Sequence, residues 1–307
     1  MGKSKYFQLV LSLFILTLLY LNITGDVLIN LRNISFKDLA ICICIMLGST
    51  APRIIRWRSL MNQGDGENIS ILLSSKLTFV GLALNLVTPA SMGDILKSYY
   101  GYKWTGLKER MISVSIFDKI IAFFSLGLLS FFAFCITRNG HYMISSLFCV
   151  LPFIVVKCEW LRNVFIKNTV LYSLNKRTIR LNLESLFNNL KFSNEVIISS
   201  IFFSVLAWLI DFYLLYNCFR LLNLKTPLTS VIFDGVVLKI GKLFPFTLSG
   251  MGTDEVLTVY LFSNSETENG VILAASLFYR FIMMILPALI GAVIMLLDTT
   301  NKRMRLK

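Results

Sequence analysis

The stretch N-L-V-T-P-A-S-M-G-D-I-L-K, residues 85–97, decides how this chain can fold. It closes a long apolar run and contains residues that do not continue a helix through lipid. Pro89 lacks a backbone N–H donor, and Gly93 permits irregular backbone dihedrals. Asp94 and Lys97 add charges beside hydrophobic sequence of membrane length. The stretch therefore predicts that a helix is broken at membrane depth.

The composition of the whole chain identifies its class. Of its 307 residues, 56% are apolar and 15% are charged, whereas soluble domains carry about a quarter charged residues. Several runs of about 18 or more apolar residues cannot all be buried in one soluble core. The runs are continuous rather than alternating, which argues against a transmembrane β-barrel. We therefore predict an all-α polytopic membrane protein.

Charge, cysteine and histidine usage narrow the function. The formal net charge of +13 would suggest a nucleic acid partner in a soluble protein, but lysine and arginine accumulate in cytoplasmic loops of membrane proteins. The six cysteines include no C-x-x-C pair, which indicates neither a disulfide framework nor a thiolate metal site. His141 is the one histidine. We expect no nucleic acid partner, no cofactor and no metal.

Six apolar runs predict about six full membrane spans. The first follows Lys3 and Lys5 and resembles a signal peptide, but no A-x-A-like cleavage site follows it, so we predict an uncleaved span. Two further apolar stretches, residues 69–87 and 228–262, are interrupted. The predicted full spans are residues 6–23, 38–51, 111–136, 141–156, 196–219 and 271–297.

The basic residues predict how the interrupted stretches lie in the membrane. With a cytoplasmic N-terminus, and with each interrupted stretch entering and leaving on one side, most of the 30 lysines and arginines fall in cytoplasmic segments. A simple crossing by residues 69–87 would instead place the basic segment 97–110 outside. We therefore predict two re-entrant helical elements and cytoplasmic N- and C-termini in a cell membrane protein.

The order of these elements predicts an inverted repeat within one integral membrane domain, residues 1–307. S-I-F-D-K-I-I (115–121) resembles S-L-F-Y-R-F-I (276–282), and the same offset relates Asp94 to Glu255. The predicted pseudo-halves are residues 1–138 and 139–307, with a cytoplasmic amphipathic connection at residues 157–195. Transporters built in this way bind their substrate between two broken helices near the midplane.

The second break reads K-L-F-P-F-T-L-S-G-M-G-T-D-E, residues 242–255. Like the first, it contains proline, then glycine, then an acid that opens a new helical run. Free amides at the start of such a half-helix can hold an anionic group such as a lipid phosphate. The alternative is a kinked helix whose glycines permit close packing. Two corresponding breaks favour a functional cavity.

Ionisable residues inside apolar runs support a polar cavity. Asp118, Lys119, Lys239 and Arg280 lie within or beside such runs, where a mid-helix charge costs about 2.5–3.5 kcal/mol. Lys239 could alternatively reach the membrane interface with its long side chain. We predict a central polar network whose natural members are Asp94, Asp118, Glu255 and Arg280.

The two breaks, with R-I-I-R-W-R at residues 53–58, resemble the flippase-like transmembrane domain of the lysylphosphatidylglycerol synthase family. The family's polar-Pro-x-x-x-Gly-Asp-x-x-Arg segment and its Glu-Arg pair correspond to Asn85, Pro89, Gly93, Asp94, Lys97, Asp118 and Lys119. Its Pro…Gly-x-Gly-x-x-Glu segment and its Tyr-Arg pair correspond to Pro245, Gly250, Gly252, Glu255, Tyr279 and Arg280. Two positions depart from the pattern: Lys97 replaces arginine, and Ala122 replaces a common acid.

The resemblance implies lipid handling, namely the movement of a phospholipid or a polyprenyl-linked lipid between leaflets in envelope biogenesis. The matched residues would line a substrate-binding or translocation cavity, and none is implied to be catalytic. Membrane lipids, either an anionic phospholipid or a lipid-linked glycan, are the expected partners, and a homo-oligomer is left open. The chain ends at Lys307 without an aminoacyl-transfer domain, so lysyl transfer is not expected.

Two other functions fit the same residues. A membrane-embedded transferase acting on a lipid-linked sugar or a lipid headgroup would need acids at an aqueous face, which Asp94, Asp254 and Glu255 could supply. The protein could alternatively be a non-catalytic partner in envelope assembly. In that case single substitutions at the polar positions would leave its function intact.

Overall fold

A computed structural model describes residues 34–63, 68–88, 92–157, 192–241, 248–263 and 269–305. Within these ranges the regular structure is helical and contains no strand, which confirms the all-helical class. The predicted first span, residues 6–23, lies outside the described residues. Most of the predicted amphipathic connection, residues 157–195, lies outside them as well.

Ten α-helical segments follow one another along the described chain. A short 3₁₀ turn, Leu248–Gly250, precedes α8, and a π-helical turn, Phe281–Ile285, joins α9 to α10 without a break. The helices are α1 Phe36–Met61, α2 Ile71–Leu86, α3 Gly93–Thr105, α4 Lys108–Thr137, α5 Gly140–Lys157, α6 Asn194–Leu221, α7 Leu228–Gly241, α8 Thr253–Phe262, α9 Asn269–Arg280 and α10 Leu286–Arg305.

Four helices of the described residues are long and apolar enough to cross a membrane. They are α1, α4, α6 and the continuous segment Asn269–Asp298, which joins α9 to α10. Each overlaps a predicted full span, although α1 continues beyond the predicted end at residue 51 to Met61. The predicted span at residues 141–156 is also helical, but its described apolar part, Gly140–Ile154, is shorter. The number of membrane crossings stays a prediction.

Local signals in the sequence explain where these helices begin and end. Ser35 and Asp38 form a reciprocal cap at the start of α1, since each side chain accepts a hydrogen bond from the other residue's backbone N–H. At the other end of α1, the Arg110 guanidinium donates to the carbonyls of Met61 and Gln63. The αL residue Arg138 ends α4.

Helices α2 and α3 form an antiparallel hairpin around the first break. A Cβ on Gly93 would lie 2.2 Å from the backbone nitrogen of Asn85, while a Cβ on Gly81 would lie 3.1 Å from Cδ of Lys97. Because the later residue of α3 meets the earlier residue of α2, the chain reverses its direction between them. The predicted break is therefore confirmed, although Pro89 lies outside the described residues.

The second predicted break lies between α7 and α8. Helix α7 ends at Gly241, a new helix begins at Thr253, and Pro245 lies outside the described residues. The two helices touch where a Cβ on Gly241 would lie 2.6 Å from Cδ1 of Leu257. Both interrupted stretches are thus pairs of short helices, as their Pro-Gly-acid pattern predicts.

The chain divides into two compact units, each assembled from separate segments. Unit 1 contains Met1–Pro52, Ser75–Lys97 and Leu206–Lys307, and unit 2 contains Arg53–Ser74 and Ser98–Val205. The division into pseudo-halves 1–138 and 139–307 stays a prediction.

Each unit has its own packing. In unit 1 an apolar core includes Phe219, whose ring packs edge-on against that of Phe262 at 4.9 Å between centroids. In unit 2 helix α4 packs closely on α5, where Gly127 meets Cys149, and the rings of Phe124 and Phe153 stack at 4.2 Å. Small residues let apolar helices approach in this way.

The close approach at Gly93 leads to a first prediction. Gly93→Ala places a methyl group against backbone atoms that cannot rotate away, and we expect a loss of about 1–3 kcal/mol in folding free energy, typical of an overpacked site. Gly48→Ala is the matched control, because a Cβ at Gly48 meets nothing within 4 Å. Thermal unfolding in detergent measures both variants. Equal melting temperatures for the two variants would contradict the tight hairpin.

Candidate functional site

A group of buried charges in the described part of unit 1 surrounds Arg280 at the end of α9. Its Nε donates to Oε1 of Glu255 at 2.5 Å, and its Nη2 donates to Oδ2 of Asp254 at 3.0 Å. The same guanidinium donates to the backbone carbonyls of Ser249 and Gly250. One side chain therefore holds the start of α8 and the turn that precedes it. We call these five residues the Arg280 cluster.

The turn before α8 has the backbone conformation that this contact needs. Ser249, Gly250 and Gly252 all have positive φ, of 55°, 73° and 85°. Glycine adopts this region without a steric penalty, and the two carbonyls before α8 accept hydrogen bonds from Arg280. The Gly252 amide donates to Oε2 of Glu255 at 2.7 Å, so the acid also caps the helix.

The Arg280 cluster is almost completely removed from solvent. Glu255 is 0% exposed, Asp254 is 6% exposed and Arg280 is 9% exposed. Two acids in the first turn are favoured there because the helix N-terminus carries partial positive charge. Buried charges are stable only when they are paired. The stability of the cluster therefore depends on each of its charged side chains.

A small cavity adjoins the Arg280 cluster. Its volume is about 20 Å³, enough for about one water molecule and far below the space that a lipid headgroup needs. Polar and charged side chains share its wall with apolar ones. The cavity is lined by Leu215, Gly235, Leu238, Lys239, Asp254, Thr258, Ser276, Tyr279 and Arg280.

Lys239 lines this cavity and contacts its aromatic side chains. Its Nζ donates to the hydroxyl of Tyr279 at 2.6 Å and lies 4.9 Å from the centroid of that ring. The indole of Trp208 lies 5.9 Å from the same ammonium. These contacts place Lys239 in the same cavity as Arg280, with the aromatic faces favouring its charge.

The first hairpin holds its predicted polar residues in local contacts. The side-chain amide of Asn85 donates to Oδ1 of Asp94 at 3.0 Å, and its oxygen accepts from the Asp94 backbone N–H at 3.2 Å. Lys97 is 4% exposed, with its aliphatic part beside Gly81. Asn85 thus caps the helix that begins after the first break.

In unit 2 Asp118 pairs with an arginine that the sequence analysis did not place in the site. Arg56 Nε donates to Oδ1 of Asp118 at 2.6 Å, and its Nη1 donates to the hydroxyl of Ser204. Lys119 lies over the ring of Phe123, at 5.4 Å from its centroid. The only sequence signal for Arg56 was its position in the basic string at residues 53–58.

The structure thus brings together some of the predicted site residues directly. Arg280 donates hydrogen bonds to both Glu255 and Gly250, and the Gly252 amide donates to Glu255. Pro89 and Pro245 lie outside the described residues. The single network of Asp94, Asp118, Glu255 and Arg280 stays a prediction. The residues that contribute although they were not in the predicted site are Arg56, Ser204, Trp208, Lys239 and Asp254.

A second prediction concerns the stability of the Arg280 cluster. Arg280→Gln leaves two buried carboxylates without their cation, and we expect a loss of about 3–5 kcal/mol in folding free energy. Arg220→Gln is the matched control, because Arg220 is exposed at the end of α6. The melting temperatures of both variants in detergent provide the measurement. If Arg280→Gln and Arg220→Gln have the same melting temperature, the cluster does not stabilise the turn before α8.

Comparison with known proteins identifies the family. The family described as "Lysylphosphatidylglycerol synthase TM region" matches residues 7–291 of this chain. A similar protein is the UPF0104 membrane protein MJ1595 of Methanocaldococcus jannaschii, which is 24% identical over 96% of this chain and 95% of its own length. Both results agree with the long apolar helices of a multi-pass membrane protein. The chain belongs to the lysylphosphatidylglycerol synthase transmembrane region family, which confirms the resemblance drawn from its two breaks.

Proposed function

We propose that this protein is a lipid flippase-like translocator, which moves a phospholipid or a polyprenyl-linked lipid between the leaflets of a cell membrane. The observation that carries the proposal is the buried Arg280 cluster at a broken helix. Ionisable groups are costly inside a membrane and mark the pathways of polar substrates there. Family membership supports a role in lipid handling.

The chemistry of the cavity suits a lipid headgroup. Arg280 and Lys239 supply positive charge for a phosphate, and Asp254 can accept hydrogen bonds from sugar hydroxyls or an ammonium group. Tyr279 adds a hydroxyl and an aromatic face. We therefore propose an anionic phospholipid or a lipid-linked glycan as the transported lipid.

The proposal includes the membrane topology. We propose about six spans, two re-entrant hairpins at α2–α3 and α7–α8, an inverted repeat, and cytoplasmic N- and C-termini. The reversal of the chain between Gly81 and Lys97 supports a re-entrant first hairpin. Irregular backbone within a membrane is tolerated only where it is buried in protein or lines a cavity, and the turn before α8 meets this condition.

The size of the cavity indicates that transport requires a rearrangement. A volume of about 20 Å³ admits water and excludes a headgroup. We propose that the described conformation is closed and that an open one separates the groups that Arg280 holds together. We propose that a headgroup phosphate competes with the carboxylates for Arg280 once this rearrangement has opened the cavity.

A lipid exchange assay tests the proposal. The purified protein is reconstituted in liposomes that contain fluorescent phosphatidylglycerol, phosphatidylethanolamine or a polyprenyl phosphate. Exchange between leaflets is then followed by quenching the outer leaflet. We expect acceleration for at least one lipid, and loss of this acceleration in Glu255→Gln. Glu195→Gln is the matched control, because Glu195 is exposed in the first turn of α6.

Two results would contradict the proposal. One is the absence of acceleration for every lipid class, although the reconstituted protein keeps its normal melting temperature. The other is an exchange rate in Glu255→Gln that equals the rate in Glu195→Gln.

The transferase alternative is supported by one observation, since Asp254 lines the cavity beside Arg280. A transferase changes the lipid chemically, whereas a translocator changes only its leaflet. Mass spectrometry of the liposome lipids after incubation with a lipid-linked sugar donor separates the two functions, because only a transferase yields a product of altered mass.

A further inference from the structure

Unit 2 contains a second buried charge pair that the proposed function does not use. Arg56 is 6% exposed and Asp118 is 5% exposed, and the two side chains meet at 2.6 Å. The guanidinium also donates to the hydroxyl of Ser204. Side chains from α1, α4 and α6 therefore meet at one guanidinium.

This pair lies deep along two membrane-length helices. Asp118 follows the start of α4 at Lys108, and Ser204 follows the start of α6 at Asn194, by the same number of residues. At a rise of 1.5 Å per residue both side chains stand about 15 Å from the helix start.

Two serine hydroxyls near the pair have no hydrogen-bond partner among the described residues. Ser115 and Ser200 are both 0% exposed, and neither Oγ finds a donor or an acceptor. Other buried serines of α4 behave differently. Ser125 bonds the carbonyl of Ile121 at 2.9 Å, in the usual contact with the preceding helical turn.

Both hydroxyls belong to the helix faces that contact Arg56. Ser115 precedes Asp118 by three residues and Ser200 precedes Ser204 by four, which are the spacings of neighbours on one helix face. A buried hydroxyl without a hydrogen-bond partner destabilises a folded protein, because it has lost its bonds to water. Two such hydroxyls, each one turn from a partner of the same guanidinium, indicate that another molecule satisfies them.

The chemistry of these groups selects the ligand. The charges of Arg56 and Asp118 cancel, which favours a neutral ligand over an ion. Serine hydroxyls both donate and accept hydrogen bonds, and water does the same. A buried water typically makes about three hydrogen bonds to polar groups that would otherwise be unsatisfied. We propose that water molecules bind at Ser115 and Ser200 and hydrate the buried Arg56–Asp118 pair.

X-ray hydroxyl-radical footprinting tests this proposal, because the X-ray pulse produces radicals from bound water inside the protein. Met111 is the probe, since it is 0% exposed and lies one turn before Ser115 on α4. Met46 is the matched control, since it is 1% exposed and belongs to the core of unit 1. Oxidation of both methionines is measured by mass spectrometry.

We expect Met111 to be oxidised faster than Met46, and we expect this excess to be lost when Ser115→Ala and Ser200→Ala are combined. Equal rates at the two methionines in the wild-type protein would overturn the proposal. An excess at Met111 that persists in the double variant would also overturn it, because the water would then not depend on these hydroxyls.

Unfolding temperatures give a second readout that does not depend on the probe. If water is bound, Ser115→Ala removes its hydrogen bond and lowers the melting temperature. If the site is dry, the same change removes an unsatisfied group and leaves the melting temperature unchanged or raised, which would overturn the proposal. Neither readout requires lipid transport, so the proposed function can fail while this inference holds.

Discussion

The contact between the Arg280 guanidinium and the start of α8 is the constraint on which the proposed site depends. A turn with three positive φ angles and two buried carboxylates would be unfavourable alone in an apolar protein. Arg280 offsets both costs, because it bonds the turn carbonyls and both acids at once. Immediately after Arg280, α9 continues into a π-helical turn, a feature often found at functional sites.

The same contact explains why the cavity is small although charged side chains line it. The groups that could bind a headgroup are engaged with one another, and Lys239 bonds Tyr279 across the same space. A closed state of this kind is stable because its charges are already paired. A lipid whose headgroup carries phosphate and hydroxyl groups could form hydrogen bonds that replace these internal ones. In the proposed mechanism, the side chains that stabilise this arrangement are also the ones that would bind the lipid headgroup.

Much of this arrangement could be predicted from the sequence, because membrane helices and their breaks have strong local signals. Four of the apolar runs that predicted membrane spans are membrane-length helices in the part of the chain that the structure describes. Proline, glycine and an acid in order predicted that new helices begin near Asp94 and Glu255, and both do. The resemblance also placed Glu255 and Arg280 in one site, where they form an ion pair.

The partners of the other charges could not be predicted, because they depend on how distant helices pack. Arg56 stands at the end of a span with other basic residues, as interfacial arginines do, and nothing local shows that it pairs with Asp118. Lys239 likewise fits a lysine that reaches the interface, yet its ammonium bonds Tyr279 in the cavity. A sequence pattern identifies a costly charge, but only the packed structure identifies the group that compensates it.

The central claim is that α8 has to separate from α9 before a lipid headgroup can enter. Ser276 of α9 donates to Thr258 of α8 at 3.4 Å between their hydroxyl oxygens, within the cavity wall. Thr258→Cys and Ser276→Cys, combined in a chain without other cysteines, allow these helices to be joined by a disulfide and released by reduction. The direct measurement is lipid exchange in liposomes before and after oxidation. The account predicts that exchange stops in the oxidised protein and returns on reduction, whereas equal exchange in both states would contradict it.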